Sequence, residues 1–234
     1  MIPVLKIKMM LLFYLLNVPL RDGGHAYTET NLDRLVVEPW NFVTAAFFVA
    51  IAIYWFLKIR KEIPRFGFLF AMLILLLIGG VGGTIYHGFR WHRAFLMMDW
   101  MPIIIITFSA SVYFFIKAWG KWWPPAILLV LFFFLQGMLF NSGLPTQTAI
   151  NLNYASMAVM VLVPVGWYLA KTGFANGHLV GLALLAFGAA LFFRWADKLA
   201  WFPMGTHFLW HIFGLVAVHL MMLFLYRTRL AETR

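Results

Sequence analysis

Histidine recurs in an otherwise apolar stretch near the end of the chain, MGTHFLWHIFGLVAVH. His207 and His211 are four residues apart, so on a helix their side chains lie on one face, as two nitrogen ligands of one metal ion require. His219 follows eight residues after His211, which rotates it by about 80° around the helix. We therefore predict that His207 and His211 bind a metal, whereas His219 packs against neighbours or hydrogen-bonds behind the site.

Further ionisable side chains stand at the ends of other apolar segments. His87 ends one segment in GGVGGTIYHGF, and Asp99 opens the next in LMMDWMP. Ionisable groups inside membrane helices cost a few kcal/mol to insert, so they are rare and usually face a bundle interior or a water-filled cavity. With His87 as a third ligand, His207 and His211 complete a three-histidine site with an open fourth position, which is the arrangement of a catalytic zinc.

The composition is that of an integral membrane protein. Of 234 residues, 64% are hydrophobic and 11% are charged, whereas a soluble domain carries roughly a quarter charged residues. The net charge of +10 does not indicate a nucleic-acid partner, because Lys and Arg cluster between apolar segments and form no basic and aromatic strip. Cysteine is absent, so a metal must be held by His, Asp or Glu.

Seven segments are long enough to cross a bilayer, which takes about 20 predominantly apolar residues. They cover residues 41–58, 66–87, 95–116, 122–140, 150–170, 178–200 and 205–226. We therefore predict an all-α membrane protein, a seven-transmembrane-helix bundle that forms one domain over residues 27–228, followed by a basic cytoplasmic tail at 229–234. Residues 1–26 form an extra short apolar segment that is signal-like, re-entrant or an additional helix, and these alternatives stay open.

Lysine and arginine are distributed unevenly between the two sides of the predicted bundle. They are concentrated after the first, third and fifth spans and in the C-terminal tail. Because positively charged connections stay in the cytoplasm, we expect the C-terminus inside and the residues before the first span outside. His87, Asp99, His207 and His211 then all lie at the outer face of the bundle.

Two other groups of residues have ordinary structural interpretations. Asp197, beside Arg194 and Lys198, is equally consistent with an interfacial ion pair and with a role in organising the metal site. A set of glycines suits close packing between helices, because small residues let backbones approach. This set comprises Gly79, Gly80, Gly82, Gly83 and Gly88.

In their order along the chain, several motifs resemble the alkaline ceramidase family and its bacterial relatives in the CREST superfamily, which also contains the adiponectin receptors. They are EPWN at 38–41, GGTIYHG around His87, MDWMP around Asp99, and ADKLAWFPMGTHFLWH ending in His211. The resemblance extends from about Tyr27 to His219. It implies a seven-helix membrane hydrolase in which His87, His207 and His211 bind zinc and Asp99 lies beside the zinc water. Eukaryotic members cleave ceramide to a sphingoid base and a fatty acid.

The resemblance also implies a calcium site near the N-terminus, which falls here on Glu29, Asn31 and Glu38. At that site the chain departs from the family, because Ala26 and Tyr27 replace an acidic residue and a tryptophan.

Two further departures lie at the zinc site. Gly83 replaces a serine usually found four residues before the first zinc histidine, and the segment from His87 to Asp99 is one residue longer than usual. We predict that Thr84, next to Gly83, supplies the missing hydroxyl to the substrate carbonyl.

Together these features predict a zinc-dependent hydrolase of a lipid amide, with a ceramide-like N-acyl lipid as substrate, Asp99 as acid and base, and Zn²⁺ with Ca²⁺ as cofactors. We expect a multi-pass protein of the bacterial inner (plasma) membrane, with the bilayer and a membrane lipid as partners and no nucleic acid. A heptahelical receptor or scaffold with a structural zinc, and a metal or proton transporter, stay open. Bis-histidine haem binding is disfavoured, because His207 and His211 share one helix face.

Overall fold

The computed structural model describes residue 20, residues 22–144 and residues 146–232. Throughout these ranges the regular structure is helical, without a strand. The helices are α1 (Pro39–Ile59), α2 (Gly67–Phe89), α3 (Arg93–Trp119), α4 (Trp123–Phe140), α5 (Thr146–Lys171), α6 (Gly177–Ala196) and α7 (His207–Glu232), with a 3-10 turn at Asp197–Leu199 between the last two.

All seven helices are long and apolar enough to cross a membrane. The predictions of an all-α fold and of seven helices that are long and apolar enough to span a bilayer are therefore confirmed. The last helix continues to Glu232, so the predicted tail at 229–234 is helical over its described part. The predicted N-terminal segment at 1–26 lies mostly outside the described residues, and the orientation of the termini stays a prediction.

The chain divides into two compact units. Among the described residues, the first comprises residues 20, 22–102 and 178–232, and in it α1 packs against α2 and α7. The second comprises residues 103–177, in which α4 packs against α5. Between these two helices Gln136 Nε2 donates to Ser156 Oγ at 2.7 Å. Every predicted site residue belongs to the first unit.

Glycines on α2 allow its neighbours in the first unit to approach closely. A Cβ atom at Gly80 would lie 2.8 Å from the backbone nitrogen of Val49 on α1. A Cβ atom at Gly82 would lie 2.8 Å from the carbonyl carbon of Met98 on α3. No side chain fits such gaps, so the predicted packing role of these glycines is confirmed.

Side chains also fix the helix ends that face each other in the first unit. At the start of α1, the Glu29 carboxylate accepts from the backbone N–H groups of Trp40 and Asn41 at 2.6 and 3.0 Å. These N–H groups have no partner within their own helix, so the carboxylate satisfies them. At the end of α2, Arg90 turns into the left-handed region (φ 52°) and its N–H donates to the Tyr86 carbonyl. The two ends thereby present Glu38 and His87 to each other.

Candidate metal centre

His87, His207 and His211 form one buried cluster. Each offers a ring nitrogen, and these nitrogens all lie within 4.8 Å of one another. The ring centroid of His211 lies 4.9 Å from those of both other histidines. Within the described residues, no other group of three or more His, Asp or Glu side chains has such geometry. The end of α2 and the start of α7 thus bring together the three predicted ligands.

Glu38 fixes the tautomer of His87. Its Oε2 lies 2.5 Å from His87 Nδ1, and both side chains are fully buried. Burial raises the pKa of Glu38, but the hydrogen bond from His87 and the Arg90 guanidinium outweigh burial and hold the pKa below its ordinary value. Because a carboxylate only accepts, Nδ1 carries a ring hydrogen, and in the neutral ring that binds a metal Nε2 keeps its lone pair. Pairing with a carboxylate is common for metal-binding histidines.

Thr44 is the hydrogen-bond partner that orients the ring of His211. Its Oγ1 lies 2.7 Å from the Trp40 carbonyl oxygen and 2.9 Å from His211 Nδ1. The hydroxyl has one hydrogen and the carbonyl only accepts, so Thr44 donates to Trp40 and accepts from His211 Nδ1–H. His211 Nε2 therefore also keeps its lone pair.

The cluster fits a zinc ion. His87 Nε2 and His207 Nδ1 are buried without a hydrogen-bond partner among the described residues. A buried polar group left in this way costs about 1–3 kcal/mol, and coordination of a metal by the lone pairs removes that cost. Three imidazole nitrogens are a known donor set of catalytic zinc.

Tyr27 covers the ring of His207. Its ring stacks on that of His207, with 3.8 Å between centroids and 23° between planes, and lies 5.5 Å from the His87 ring. Tyr27 is one of the positions at which the chain differs from the alkaline ceramidase motifs that it otherwise resembles, and it lies against two of the three predicted ligands.

Asp197 caps the N-terminus of α7. Its Oδ1 accepts from the backbone N–H groups of Thr206 and His207 at 2.7 and 3.0 Å, and its Oδ2 accepts from the backbone N–H of Thr28 at 3.0 Å. A carboxylate at a helix N-terminus satisfies free N–H groups and complements the helix dipole. Of the two interpretations left open by the sequence, the structure favours the role in organising the site.

Gly205 is required by this arrangement, and alanine there is expected to destabilise the protein. Gly205 has φ 68°, and an added Cβ would overlap Asp197 Oδ1 and lie 2.7 Å from Thr28 Cβ. We expect Gly205→Ala to lower the free energy of unfolding by about 1–3 kcal/mol, measured as a lower thermal midpoint in detergent. Gly181→Ala on α6, where an added Cβ meets nothing within 4 Å, is the matched control. Equal midpoints for the two variants would contradict this account.

Asp99 lies near the start of α3 and is half-buried. Its carboxylate is packed against Gly83 of α2 so closely that a Cβ atom at residue 83 would overlap Oδ1. Gly83, at the position where alkaline ceramidases usually have a serine, therefore makes room for the predicted acid and base.

Comparison of the sequence with protein-family models and with curated proteins yields no match. The resemblance to alkaline ceramidases therefore rests on the motifs alone.

Thr84 uses its hydroxyl hydrogen within α2. Its Oγ1 donates to the Gly80 carbonyl at 2.6 Å. Because a hydroxyl has one hydrogen, stabilising an oxyanion requires this bond to break. The catalytic role of Thr84 stays a prediction.

A Thr84→Val substitution tests that role and keeps the branched shape of the side chain. Since the hydrogen is already committed to Gly80, we expect the variant to keep its metal and to lose far less than the 10²–10³-fold in kcat that removal of an oxyanion donor typically costs, roughly an order of magnitude at most. Steady-state hydrolysis and metal content are the measurements. A loss near 10³-fold with the metal retained would instead make Thr84 an oxyanion donor.

The three residues of the predicted calcium site have partners of their own. Glu29 caps α1, and burial raises its pKa although the two backbone N–H groups oppose that shift. Asn31 Oδ1 accepts from the backbone N–H of Asp33 at 3.0 Å. Both oxygens of Glu38 accept hydrogen bonds, one of them from Thr30 Oγ1 at 2.6 Å. Calcium binding by these residues stays a prediction.

His219 lies apart from the cluster. Its ring contacts those of Tyr54 and Trp55, with centroids 6.2 and 5.6 Å away. This is the packing role predicted for it from its position on the helix.

Proposed function

We propose that this protein is a zinc-dependent membrane hydrolase that cleaves the amide of a ceramide-like N-acyl lipid. The observation that carries the proposal is the buried cluster of His87, His207 and His211, in which His87 Nε2 and His207 Nδ1 have no hydrogen-bond partner among the described residues. Three neutral imidazoles leave a fourth position for water or substrate, as catalytic zinc requires. The motif resemblance narrows the reaction to a lipid amide.

The chain's own residues supply orientation and proton transfer. Zinc held here supplies a water whose pKa is lowered to about 7 and a Lewis acid for the substrate carbonyl. Glu38 and Thr44 keep the rings of His87 and His211 in the ligating tautomer. Asp99 takes a proton from the attacking water and returns it to the leaving amine nitrogen, so the amide C–N bond breaks without a free amide anion.

Apolar side chains around the cluster suit a lipid substrate. Trp40, in the first turn of α1, is half exposed, and its ring lies 5.6 Å from that of Phe208 in the first turn of α7. Tryptophan is enriched where membrane proteins meet the headgroup level of the bilayer. A lipid entering here keeps its acyl chain against apolar helices and brings its amide to the histidines.

The distribution of buried charge favours a one-sided site over a transport pathway. A pathway needs ionisable groups at several depths. In the described part of the first unit, the buried ionisable residues lie in or next to the histidine cluster. They are Asp22, Glu29, Glu38, His87, Arg90, Asp197, His207 and His211.

The purified protein in detergent should release free fatty acid from N-acyl lipids. The panel contains a ceramide, an N-acylethanolamine and an N-acyl amino acid, with a phosphatidylcholine ester as comparison, and products are quantified by mass spectrometry. Activity should disappear after zinc is stripped and return when zinc is restored. If zinc is bound but neither amide nor ester is cleaved, the receptor or scaffold interpretation becomes the better one.

A further inference from the structure

A buried ionic network joins the N-terminal segment to His87. The Arg90 guanidinium donates to both carboxylate oxygens of Asp22, Nε to Oδ2 at 2.5 Å and Nη2 to Oδ1 at 2.9 Å. Its Nη1 donates to Glu38 Oε1 at 2.7 Å, and the other oxygen of Glu38 accepts from His87 Nδ1. All four side chains are at most 1% exposed.

The surroundings of Arg90 hold its side chain in this position. The residue adopts a left-handed backbone conformation although it is not glycine, at a cost of about 1–2 kcal/mol. Its guanidinium lies 4.4 Å from the centre of the Tyr86 ring, and Nη1 also donates to the His25 carbonyl at 3.0 Å. Gly24 packs so closely that an added Cβ would lie 2.7 Å from Nη2. An arginine side chain solvated at the protein surface would not require these contacts.

The network places two carboxylates beside one guanidinium. Although burial opposes it, the bonds from Arg90 and from the Gly24 N–H hold the pKa of Asp22 below its ordinary value. Arg90 divides its N–H groups between Asp22 and Glu38, and the second oxygen of Glu38 faces His87. A metal ion held by the histidines would therefore lie on the His87 side of this network, which links the network to metal binding.

The segment that contains Asp22 also contacts the other parts of the site. Tyr27 stacks on His207, the hydroxyl of Thr28 donates to the Asp197 carbonyl at 2.6 Å, and the hydroxyl of Thr30 donates to Glu38. The ion pair between Arg90 and Asp22 therefore anchors a segment that covers the histidines and touches the groups that orient them.

We infer that Arg90 is a positioning residue of the metal centre, which holds Glu38 in the orientation that sets the His87 tautomer and fixes residues 22–30 over the histidines. The inference rests on the metal site of the proposed function but not on its lipid substrate. Its consequence is that zinc affinity depends on a charged side chain that never touches the metal.

The test measures zinc affinity of apo-protein in detergent by competition with a chromogenic chelator, and ligand geometry by the absorption spectrum of the cobalt(II)-substituted protein. The variants are Arg90→Met, which removes the charge at similar size, and Arg90→Lys, which keeps the charge but loses the forked hydrogen bonds. Arg93→Met, at an exposed arginine three residues further on, is the matched control. Both measurements are made without lipid, so they do not depend on catalysis. A protein that binds zinc but hydrolyses no lipid would therefore contradict the hydrolase proposal and leave this inference intact.

We expect Arg90→Met to lower zinc affinity about 10–100-fold and to shift the cobalt spectrum, Arg90→Lys to have an intermediate effect, and Arg93→Met to match wild type. Glu38→Gln should cause a similar loss, and the double variant should lose little more, because both changes break one connection to His87. Additive losses, or unchanged affinity and spectrum in Arg90→Met, would overturn the inference. Should Arg90→Met fail to fold, Arg90→Lys and its double variant with Glu38→Gln decide by the same criteria.

Discussion

Replacing His207 by alanine is expected to remove zinc from the protein and with it any zinc-dependent hydrolysis. Two histidine nitrogens remain, whereas catalytic zinc is held by three protein ligands. Loss of a side chain that hydrogen-bonds to a metal ligand already lowers metal affinity about 10–100-fold. Loss of a ligand itself should lower it further, so the zinc content should fall from about one ion per chain to nearly none. Elemental analysis of the purified protein measures it.

The substitution separates metal binding from folding. Asp197 bonds to the backbone N–H of residue 207 rather than to the imidazole, so the start of α7 keeps its cap in the variant. His219→Ala, on the same helix, removes a histidine that packs against Tyr54 and Trp55 and should keep the full zinc content. Full zinc content in His207→Ala would eliminate the site as described.

The helices and the pairing of His207 with His211 were predictable because both follow from distances along one segment. Long apolar runs define the spans, and a spacing of four residues places His207 and His211 on one face of α7 whatever the tertiary structure. His87 was predictable because successive spans alternate in direction. This alternation puts the end of α2 and the start of α7 at the same face of the bundle.

The hydrogen-bond partners of the clustered histidines were missed, because they depend on pairings between distant parts of the chain; Glu38 was predicted only as part of the calcium site. Glu38 is 49 residues from His87 in sequence, and Thr44 is 167 residues from His211. One signal was present: Glu38, Asn41 and Thr44 recur every three residues in an otherwise apolar segment, which indicates a polar stripe on one helix face.

Arg90 shows a second limit of sequence reasoning. An arginine at the end of a predicted span is usually a solvated, orientation-setting charge, and the sequence offers no reason to treat this one differently. Its burial results from a left-handed turn after α2 together with a carboxylate at residue 22. Only the folded arrangement of both brings the guanidinium into the ionic network beside the histidine cluster.

Replacing Asp99 by asparagine is expected to abolish most hydrolysis while zinc stays bound. The amide has nearly the same shape, so it fits the space that Gly83 leaves, but it cannot take a proton from water. Loss of a general acid or base typically slows the reaction about 10²–10⁴-fold, and we expect kcat to fall within that range with one zinc per chain retained.

A second substitution moves the Asp99 carboxylate without removing it. Because an added Cβ at residue 83 would overlap Asp99 Oδ1, Gly83→Ala should displace the carboxylate and lower kcat in the same direction, again with zinc retained. Gly181→Ala, where the added Cβ meets nothing, should leave kcat unchanged. If Asp99→Asn keeps wild-type turnover, another group must carry the proton. If only Asp99→Asn is slow and Gly83→Ala is not, the close packing of the carboxylate against α2 is not what positions it for proton transfer.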